Sequence, residues 1–315
     1  SQIRIMADGT LRAVLTDQLA ANESVKNLIT VTLDEEVPFY PSTKELPPEP
    51  GRDQWFAWQP NYAYDQENNI LSLADWSTEP AGSAGRMSRE EDVLMYDGKP
   101  FKAWGLNVCF ANCAPEKELA DKRAAFYAAN GINAVRFHKY GDGSGWAGIL
   151  KPGSNTEYDP AALDRMDYFV SALKEKGIFV KLSNTFGSMN LTRDGWETIP
   201  YAREWGPRPT GRRSTVTGSG AVYLSKELQD LHIAQFTNLL THTNPYTGMT
   251  YAEDPGIMLL EFCNEESSLF FGTLKQLQTV PTLKKRTGEM FTTWLLNRYG
   301  SKQAVLDRWG PDILG

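Results

Sequence analysis

The stretch GIMLLEFCNEES, residues 256–267, decides the fold class because its character changes in the middle. The first half is an aliphatic run, which is typical of a strand buried on both faces of a sheet. The second half carries Glu261, Asn264, Glu265 and Glu266. Because an unpaired buried charge is costly, these polar residues must lie where the strand leaves the core. We therefore expect a buried strand that runs into a polar site.

The chain downstream of about residue 95 alternates between strand and helix patterns. Strands are predicted at about 103–108, 132–137, 178–184 and 256–264, and helices at about 117–130, 159–177, 225–241, 282–298 and 301–309. Asp97-Gly98 predicts a hairpin turn, and Asp159-Pro160 has the N-cap and first-turn residues of a helix. Apolar strands that alternate with helices predict a parallel sheet with right-handed crossovers.

Two architectures have this alternation, an open doubly wound sheet and a closed eight-stranded barrel. The doubly wound sheet predicts a glycine-rich phosphate loop after a strand, and the sequence has none. The barrel predicts polar residues at the carboxyl end of every strand. Such residues follow all four predicted strands: Asn107, Arg136, His138, Asn184, Asn264 and Glu265. We therefore predict an α/β fold, the first half of a (β/α)8 barrel with four βα units over residues 93–315. An irregular, β-rich section over residues 1–92 is expected to pack on the barrel.

Composition excludes several classes of function. The 315 residues carry a net charge of −7 and have no basic stripe, so nucleic-acid binding is not expected. No apolar run approaches the roughly 18 residues that span a membrane, and the first residues show no signal-peptide pattern. The three cysteines, Cys109, Cys113 and Cys263, predict plain thiols rather than disulfides or a zinc site. We expect no metal and no cofactor.

Three motifs, GLN at 105–107, NAVRFHKYG at 133–141 and EFCNEES at 261–267, together resemble clan A of the glycoside hydrolases. That clan contains retaining enzymes built on a (β/α) barrel. The resemblance covers roughly residues 93–267 and implies that Glu265 is the general acid/base and that Asn264 contacts the sugar 2-hydroxyl. It also implies that Arg136 orients the nucleophile. The implied substrate is a β-linked poly- or oligosaccharide, and the implied location is secreted or periplasmic.

The sequence departs from the clan at the nucleophile, which in the clan is a Glu that ends the seventh strand. A retaining enzyme needs a second carboxylate about 5 to 5.5 Å from the first. Glu261 and Glu266 lie too close to Glu265 along one strand to supply it. We therefore expect the nucleophile outside this chain, in a downstream segment or a second polypeptide that completes the barrel. The alternative is a non-catalytic, carbohydrate-binding relic of a barrel.

The other candidate site residues have competing interpretations. His138, Asn107 and Asn184 lie at strand ends and Trp146 just beyond the second strand, so each is a candidate for binding the sugar. His138 is equally well explained as an ordinary hydrogen-bonded histidine. Arg136 and Glu265 could form a structural ion pair. Glu261 is expected to point into the barrel and to pair with a basic group.

The segment 187–223 is too long to be a simple connection between elements. It carries four aromatic residues interleaved with five arginines: Trp196, Tyr201, Trp205, Tyr223, Arg193, Arg203, Arg208, Arg212 and Arg213. It is either a loop that binds an acidic polysaccharide or a folded loop with its own aromatic core. A barrel lyase or aldolase would need metal ligands or a Schiff-base lysine, for which Lys181 is the only strand candidate.

Overall fold

The structure is a computed structural model that describes residues 2–5, 11–14, isolated positions between 23 and 54, and 71–311 except 186, 212 and 270. The chain forms two compact units, Ser1–Gln59 and Pro60–Gly315. In the first unit, β1 (Gln2–Ile5) and β2 (Leu11–Val14) pair antiparallel. The strand-like segment 28–33, the proline-rich segment 41–51 and the aromatic segment 55–64 lie largely outside the described residues. A domain boundary at residue 92 therefore stays a prediction.

The second unit contains all other strands and helices. Its strands are β3 (Ser88–Glu90), β4 (Val93–Tyr96), β5 (Lys99–Pro100), β6 (Gly105–Cys109), β7 (Ala134–His138), β8 (Phe179–Ser183), β9 (Asn190–Leu191), β10 (Thr215–Val216) and β11 (Ile257–Glu261). Its α-helices are α1 (Lys117–Ala129), α2 (Pro160–Glu175), α3 (Arg193–Thr198), α4 (Ala221–Leu224), α5 (Lys226–Leu240), α6 (Phe271–Thr279), α7 (Pro281–Tyr299) and α8 (Lys302–Trp309). The sequence patterns predicted all the long elements except α6.

Local sequence signals explain two of these elements directly. Asp97 (φ 51°) and Gly98 (φ 66°) form the turn between β4 and β5, as their residue types predict. Asp159 caps α2, and its carboxylate accepts hydrogen bonds from the backbone nitrogens of Ala161 and Ala162. Pro160 occupies the first helical position, where no backbone N–H is needed.

Four strands form one parallel sheet in chain order, β6-β7-β8-β11. Helices α1, α2 and α5 lie between successive strands in the sequence. A doubly wound sheet reverses its strand order at a switch point, and this sheet does not. The fold is therefore α/β, with the order and direction of the first four strands of a (β/α)8 barrel, and this prediction is confirmed.

One face of the sheet packs against the helices and forms the main hydrophobic core. Val135 and Phe137 of β7 and Val180 and Leu182 of β8 are fully buried on this face. Phe137 stacks on Phe169 of α2 with ring centroids 5.3 Å apart. The opposite face carries the polar side chains of the strands. Because the core fixes the strands against the helices, it also fixes the positions of these polar side chains.

Strand β11 differs from the expectation of a strand buried on both faces. Ile257 is buried, but Leu259 and Leu260 are 45% and 40% exposed. The reason is that β11 pairs with β8 on one side and, in the described part of the chain, has no strand on its other side. The aliphatic pattern matches a strand with two neighbours, and only one neighbour lies next to it here.

The segment 187–223 is a folded loop with a second hydrophobic core. It forms β9, α3, β10 and α4, and its buried members include Leu191, Ile199 and Tyr201. Trp196, Trp205 and Tyr223 pack against this core rather than standing free of it. Arg193 and Arg208 both contact Glu197. These contacts favour the interpretation as a folded loop with its own aromatic core.

Candidate active site

The register of the parallel strands brings polar residues together at their carboxyl ends. Arg136 lies beside Asn107 on β6 and beside Lys181 on β8. Two residues further along, His138 pairs with Ser183, and Ser183 pairs with Glu261 of β11. Because side chains alternate along a strand, all these residues share the face of the sheet opposite the helices.

Glu261 is the centre of a hydrogen-bonded cluster on this face. Its carboxylate accepts hydrogen bonds from Ser183 Oγ, Arg136 Nη2 and Lys181 Nζ, the last at 3.1 Å. Partial burial alone would raise the pKa of Glu261, but these three donors outweigh it and lower the pKa to about 2. The expectation that Glu261 pairs with a basic group is confirmed. The alternative in which Arg136 pairs with Glu265 is wrong, because Arg136 pairs with Glu261.

Ser183 connects this cluster to His138. The Nδ1 atom of His138 lies 3.0 Å from Ser183 Oγ, and Arg136 Nη2 donates to the same oxygen at 2.9 Å. Burial and the positive charges of Arg136 and Lys139 lower the pKa of His138 to about 4. His138 is therefore neutral at pH 7, and only 8% of it is exposed.

Asn264 and Glu265 lie in a bend after β11, beyond its last residue. Asn264 is 4% exposed; Arg136 Nη2 donates to its Oδ1, and its backbone nitrogen donates to Thr185 O at 3.1 Å. Glu265 is exposed and has the left-handed φ of 53°. Its carboxylate has no hydrogen-bond or ion-pair partner among the described residues. Arg136 thus fixes Asn264, while the adjacent Glu265 is open to solvent.

The other predicted site residues have different environments. Asn107 is exposed on β6. Trp146 is 79% exposed and packs edge-on against Phe110, with ring centroids 5.6 Å apart. Asn184 is fully buried, and its Nδ2 donates to Gln235 of α5. The contact of Asn184 is therefore with the protein's own helix, and its assignment as a binding residue stays a prediction.

Backbone strain marks the same edge of the sheet. Three non-glycine residues near the strand ends have positive φ: Phe110 (57°) after β6, Lys139 (60°) after β7 and Glu265 (53°) after β11. Such conformations are unfavourable for residues with a Cβ and are concentrated at functional sites. This concentration at the carboxyl edge matches the position at which a barrel assembles its active site.

Sequence reasoning missed Ser183 as a site residue and considered Lys181 only as a Schiff-base candidate. The signal was available in the spacing, because Arg136 and His138 are two residues apart on one strand and Lys181 and Ser183 on the next. Residues two apart share a face. Aligning these strands in parallel would have placed Ser183 between His138 and Glu261.

No group of three or more His, Cys, Asp and Glu residues within the described ranges is arranged to hold a metal ion. All three cysteines are free thiols. None of the described helices combines the length and apolarity needed to cross a lipid bilayer. A cavity of about 1150 Å³ lies between α1 and α2, lined by Tyr127, Tyr168 and Ala172, and is separate from the polar face of the sheet.

The chain is similar in sequence to plant mannan endo-1,4-beta-mannosidases. Mannan endo-1,4-beta-mannosidases 5 and 2 of Solanum lycopersicum are each 29% identical to it over 140 residues, covering 43% of this chain and 30% of theirs. Another plant relative, from Arabidopsis thaliana, is 22% identical over 205 residues, covering 62% of this chain and 47% of its own length. The chain thus spans less than half the length of these relatives. No protein-family profile matches it.

The matches among solved structures have low structural similarity to this chain. The endo-1,4-beta-mannanase of Rhizomucor miehei matches with 19% identity and a TM-score of 0.42, covering 57% of this chain and 48% of that one. A glycoside hydrolase family 5 mannosidase of the same organism matches with 17% identity and a TM-score of 0.41, covering 64% and 53%. The resemblance to clan A glycoside hydrolases is confirmed by the sequence relatives, and the similarity covers part of each protein.

Proposed function

We propose that this chain forms the acid/base half of a retaining glycoside hydrolase that cleaves β-1,4-linked mannan. The observation that carries the proposal is the arrangement of Arg136, Asn264 and Glu265 at the carboxyl ends of parallel strands. Proton transfer to a glycosidic oxygen requires a carboxyl group that the substrate can reach, and Glu265 is exposed. The names of the plant relatives support mannan as the substrate.

Each residue of this arrangement has a defined task in the proposed reaction. Glu265 protonates the leaving glycosidic oxygen and then removes a proton from the attacking water. Asn264 donates a hydrogen bond to the sugar 2-hydroxyl, a contact that strengthens as the oxocarbenium-like transition state forms. Arg136 holds Asn264 in place through its Oδ1. Asn107, His138 and the exposed indole of Trp146 are proposed to line the sugar-binding surface.

The nucleophile is proposed to come from outside this chain. Glu261 is occupied by Ser183, Arg136 and Lys181, and Glu266 accepts a hydrogen bond from the backbone nitrogen of Gly220 at 2.8 Å. Because both lie too close to Glu265 along one strand, we do not expect either to face Glu265 across a sugar. The Nε of Arg136 is buried and has no hydrogen-bond partner among the described residues. That N–H supports a role for Arg136 in orienting a carboxylate supplied by a downstream segment or a second chain.

The edge strand β11 supports the same proposal. It has exposed Leu259 and Leu260 on its two faces, and Phe262 just beyond it is 65% exposed. A further strand beside β11 would cover this apolar surface and satisfy the edge of the sheet. A polysaccharide such as mannan is too large to enter a cell intact. A secreted or periplasmic location is therefore part of the proposal.

The competing function is a carbohydrate-binding barrel without catalysis. In that case the exposed aromatic surface around Trp146 would bind the carbohydrate, and Glu265 would have no catalytic role. The two functions differ in what replacement of Glu265 does. A binding protein would keep its affinity for mannan and have no turnover to lose.

The test is Glu265→Ala and Glu265→Gln in the protein with its complete barrel, assayed on mannan and on an aryl mannoside with an activated leaving group. We expect mannan cleavage to fall by roughly 10²- to 10⁴-fold, since nothing else protonates the departing oxygen. Formation of the glycosyl-enzyme from the aryl substrate should be far less affected. Glu266→Gln is the matched control. Unchanged mannan turnover in the Glu265 variants would rule out the proposed role.

A further inference from the structure

Hydrogen-bond donors and acceptors around Ser183 can be assigned without ambiguity. A serine hydroxyl has one proton to donate and two lone pairs that accept. An ionised carboxylate only accepts, so Ser183 Oγ must donate its single proton to Glu261. A guanidinium only donates, so Ser183 Oγ accepts from Arg136 Nη2 through one lone pair. The two N–H groups of Nη2 serve three acceptors, Ser183, Glu261 and Asn264, so one N–H is shared between two of them.

The remaining lone pair of Ser183 faces His138. Because the hydroxyl proton already goes to Glu261, the 3.0 Å contact with His138 requires that Nδ1 carries the proton and donates it. In a neutral imidazole the other nitrogen, Nε2, then has a lone pair and acts as an acceptor. By accepting the hydroxyl proton of Ser183, Glu261 thus determines which nitrogen of His138 is protonated.

The same carboxylate acts on Asn264 through Arg136. Arg136 Nη2 contacts both Glu261 and the side chain of Asn264. Since the guanidinium only donates, the amide atom that faces it must be Oδ1, and Nδ2 faces away as a donor. No described residue accepts a hydrogen bond from that Nδ2.

We propose that Glu261 is the positioning residue of this site, which fixes His138 as the Nδ1–H tautomer through Ser183 and fixes the amide orientation of Asn264 through Arg136. A sugar bound at the site would meet a hydrogen-bond donor on Asn264. The meaning of this amide orientation for a sugar rests on the proposed function, whereas the tautomer of His138 does not.

The test measures the tautomer directly by long-range ¹H–¹⁵N NMR on the 315-residue chain with ¹⁵N-labelled histidine at neutral pH. The chain has only three histidines, His138, His232 and His242, so His138 is assigned by the signal lost in His138→Gln. We expect protonated-type Nδ1 and unprotonated-type Nε2 resonances in the wild type. A wild-type Nε2–H tautomer would overturn the proposal without any variant.

Two variants then test the connection. Glu261→Ala and Ser183→Ala should each replace the single Nδ1–H signature by a mixture that contains the Nε2–H form, because each removes the acceptor or the hydroxyl that joins Glu261 to His138. The control is Asp254→Asn, which removes the buried ion pair between Asp254 and Lys174 (2.6 Å) away from this cluster. That variant can lower stability but should leave the His138 resonances unchanged. An unchanged tautomer in Glu261→Ala, or an equal change in Asp254→Asn, would contradict the proposal.

A binding measurement connects the tautomer to the ligand. The affinity of the chain for a β-1,4-mannohexaose should fall in Glu261→Ala, by roughly the 10- to 100-fold that the loss of residues orienting metal ligands costs at metal sites, and remain unchanged in Asp254→Asn. Equal affinities in the wild type and Glu261→Ala would contradict the positioning role. Absence of mannohexaose binding by the wild type would count against the proposed function, and the NMR result would still decide the inference.

Discussion

Arg136 is bound to Glu261 and to Asn264 at once, through the same guanidinium nitrogen. This relationship joins the interior of the sheet to the bend that carries Glu265. It also separates the two carboxylates, because Glu261 is occupied by donors while Glu265 is exposed. Two acids four residues apart in the chain thus have different environments, one held by Arg136, Lys181 and Ser183 and the other exposed.

Replacing Glu261 with Gln should make the stability less dependent on pH in the acid range. The pKa of Glu261 falls from 4.5 to about 2 on folding, so the unfolded chain binds the extra proton between these values. The stabilisation is therefore complete above about pH 4.5 and is lost as the pH falls toward 2, and it corresponds to roughly 3 kcal/mol. Urea unfolding at pH 6 and pH 3 measures how the free energy of unfolding depends on pH.

The wild type should be more stable than Glu261→Gln at pH 6, and this difference should be clearly smaller at pH 3. Glu265→Gln is the control, because the exposed Glu265 carboxylate has no ion pair among the described residues. Its replacement should leave the free energy of unfolding unchanged at pH 6 and at pH 3. A difference between wild type and Glu261→Gln that is the same at both pH values would mean that the charge of Glu261 does not stabilise the fold.

Trp146 and Trp76 provide a matched pair for testing the sugar-binding surface. Their exposures are nearly equal, at 79% and 78%, and each lies in a short 3₁₀ turn. Trp146 follows the carboxyl end of β7, whereas Trp76 lies near Gly131, at the turn that precedes β7. Trp146→Ala should weaken mannan binding by about fivefold, since one stacked ring contributes about 1 kcal/mol. Trp76→Ala should have no effect.

Affinity electrophoresis in gels with and without mannan separates these outcomes. Retardation by mannan should be lost or reduced only in Trp146→Ala. Retardation of Trp146→Ala equal to that of the wild type would exclude Trp146 from the binding surface. Equal losses of retardation in both variants would point to a general effect of removing an exposed tryptophan.

The sequence was sufficient for the fold because the signals that define it are local. Hydrophobic periodicity, the cap at Asp159 and the turn at Asp97-Gly98 each depend on residues close together in the chain. The cluster around Glu261 depends on register between strands about 80 residues apart, as in the contact between Ser183 and Glu261. The burial of Asn184 depends on Gln235, whose helix position no local pattern ties to that strand.

The two remaining histidines should respond to replacement by Leu in opposite directions. His232 of α5 is buried, its Nε2 has no hydrogen-bond partner among the described residues, and burial lowers its pKa to about 4. Replacing it with Leu removes an unsatisfied polar atom, which costs roughly 1–3 kcal/mol, and should stabilise the protein. His242 contacts Asp167 at 2.7 Å, so His242→Leu leaves a buried carboxylate with one partner fewer and should destabilise the protein.

The pH dependence gives His232→Leu a second signature. The pKa of His232 is 6.5 in the unfolded chain and about 4 in the folded protein. Below about pH 6.5 the unfolded chain therefore binds a proton that the folded protein does not, and the wild type loses stability as the pH falls toward 4. The stability advantage of His232→Leu over the wild type should therefore widen between pH 7 and pH 4.5 in thermal unfolding. A variant that is less stable than the wild type at both pH values would contradict this account.

The chain alone should form no covalent intermediate with a fluorinated mannoside that traps glycosyl-enzymes. The reason is the position of the carboxylates near Glu265: Glu261 and Glu266 belong to the same strand end as Glu265. A nucleophile must face the acid/base across the sugar, about 5 to 5.5 Å away. Intact-mass spectrometry of the 315 residues should show the unmodified mass, while the protein with its complete barrel should gain one sugar. An adduct on the 315-residue chain, mapped by peptide digestion to Glu261 or Glu266, would place the nucleophile within it and contradict the proposal that the second half of the barrel supplies that residue.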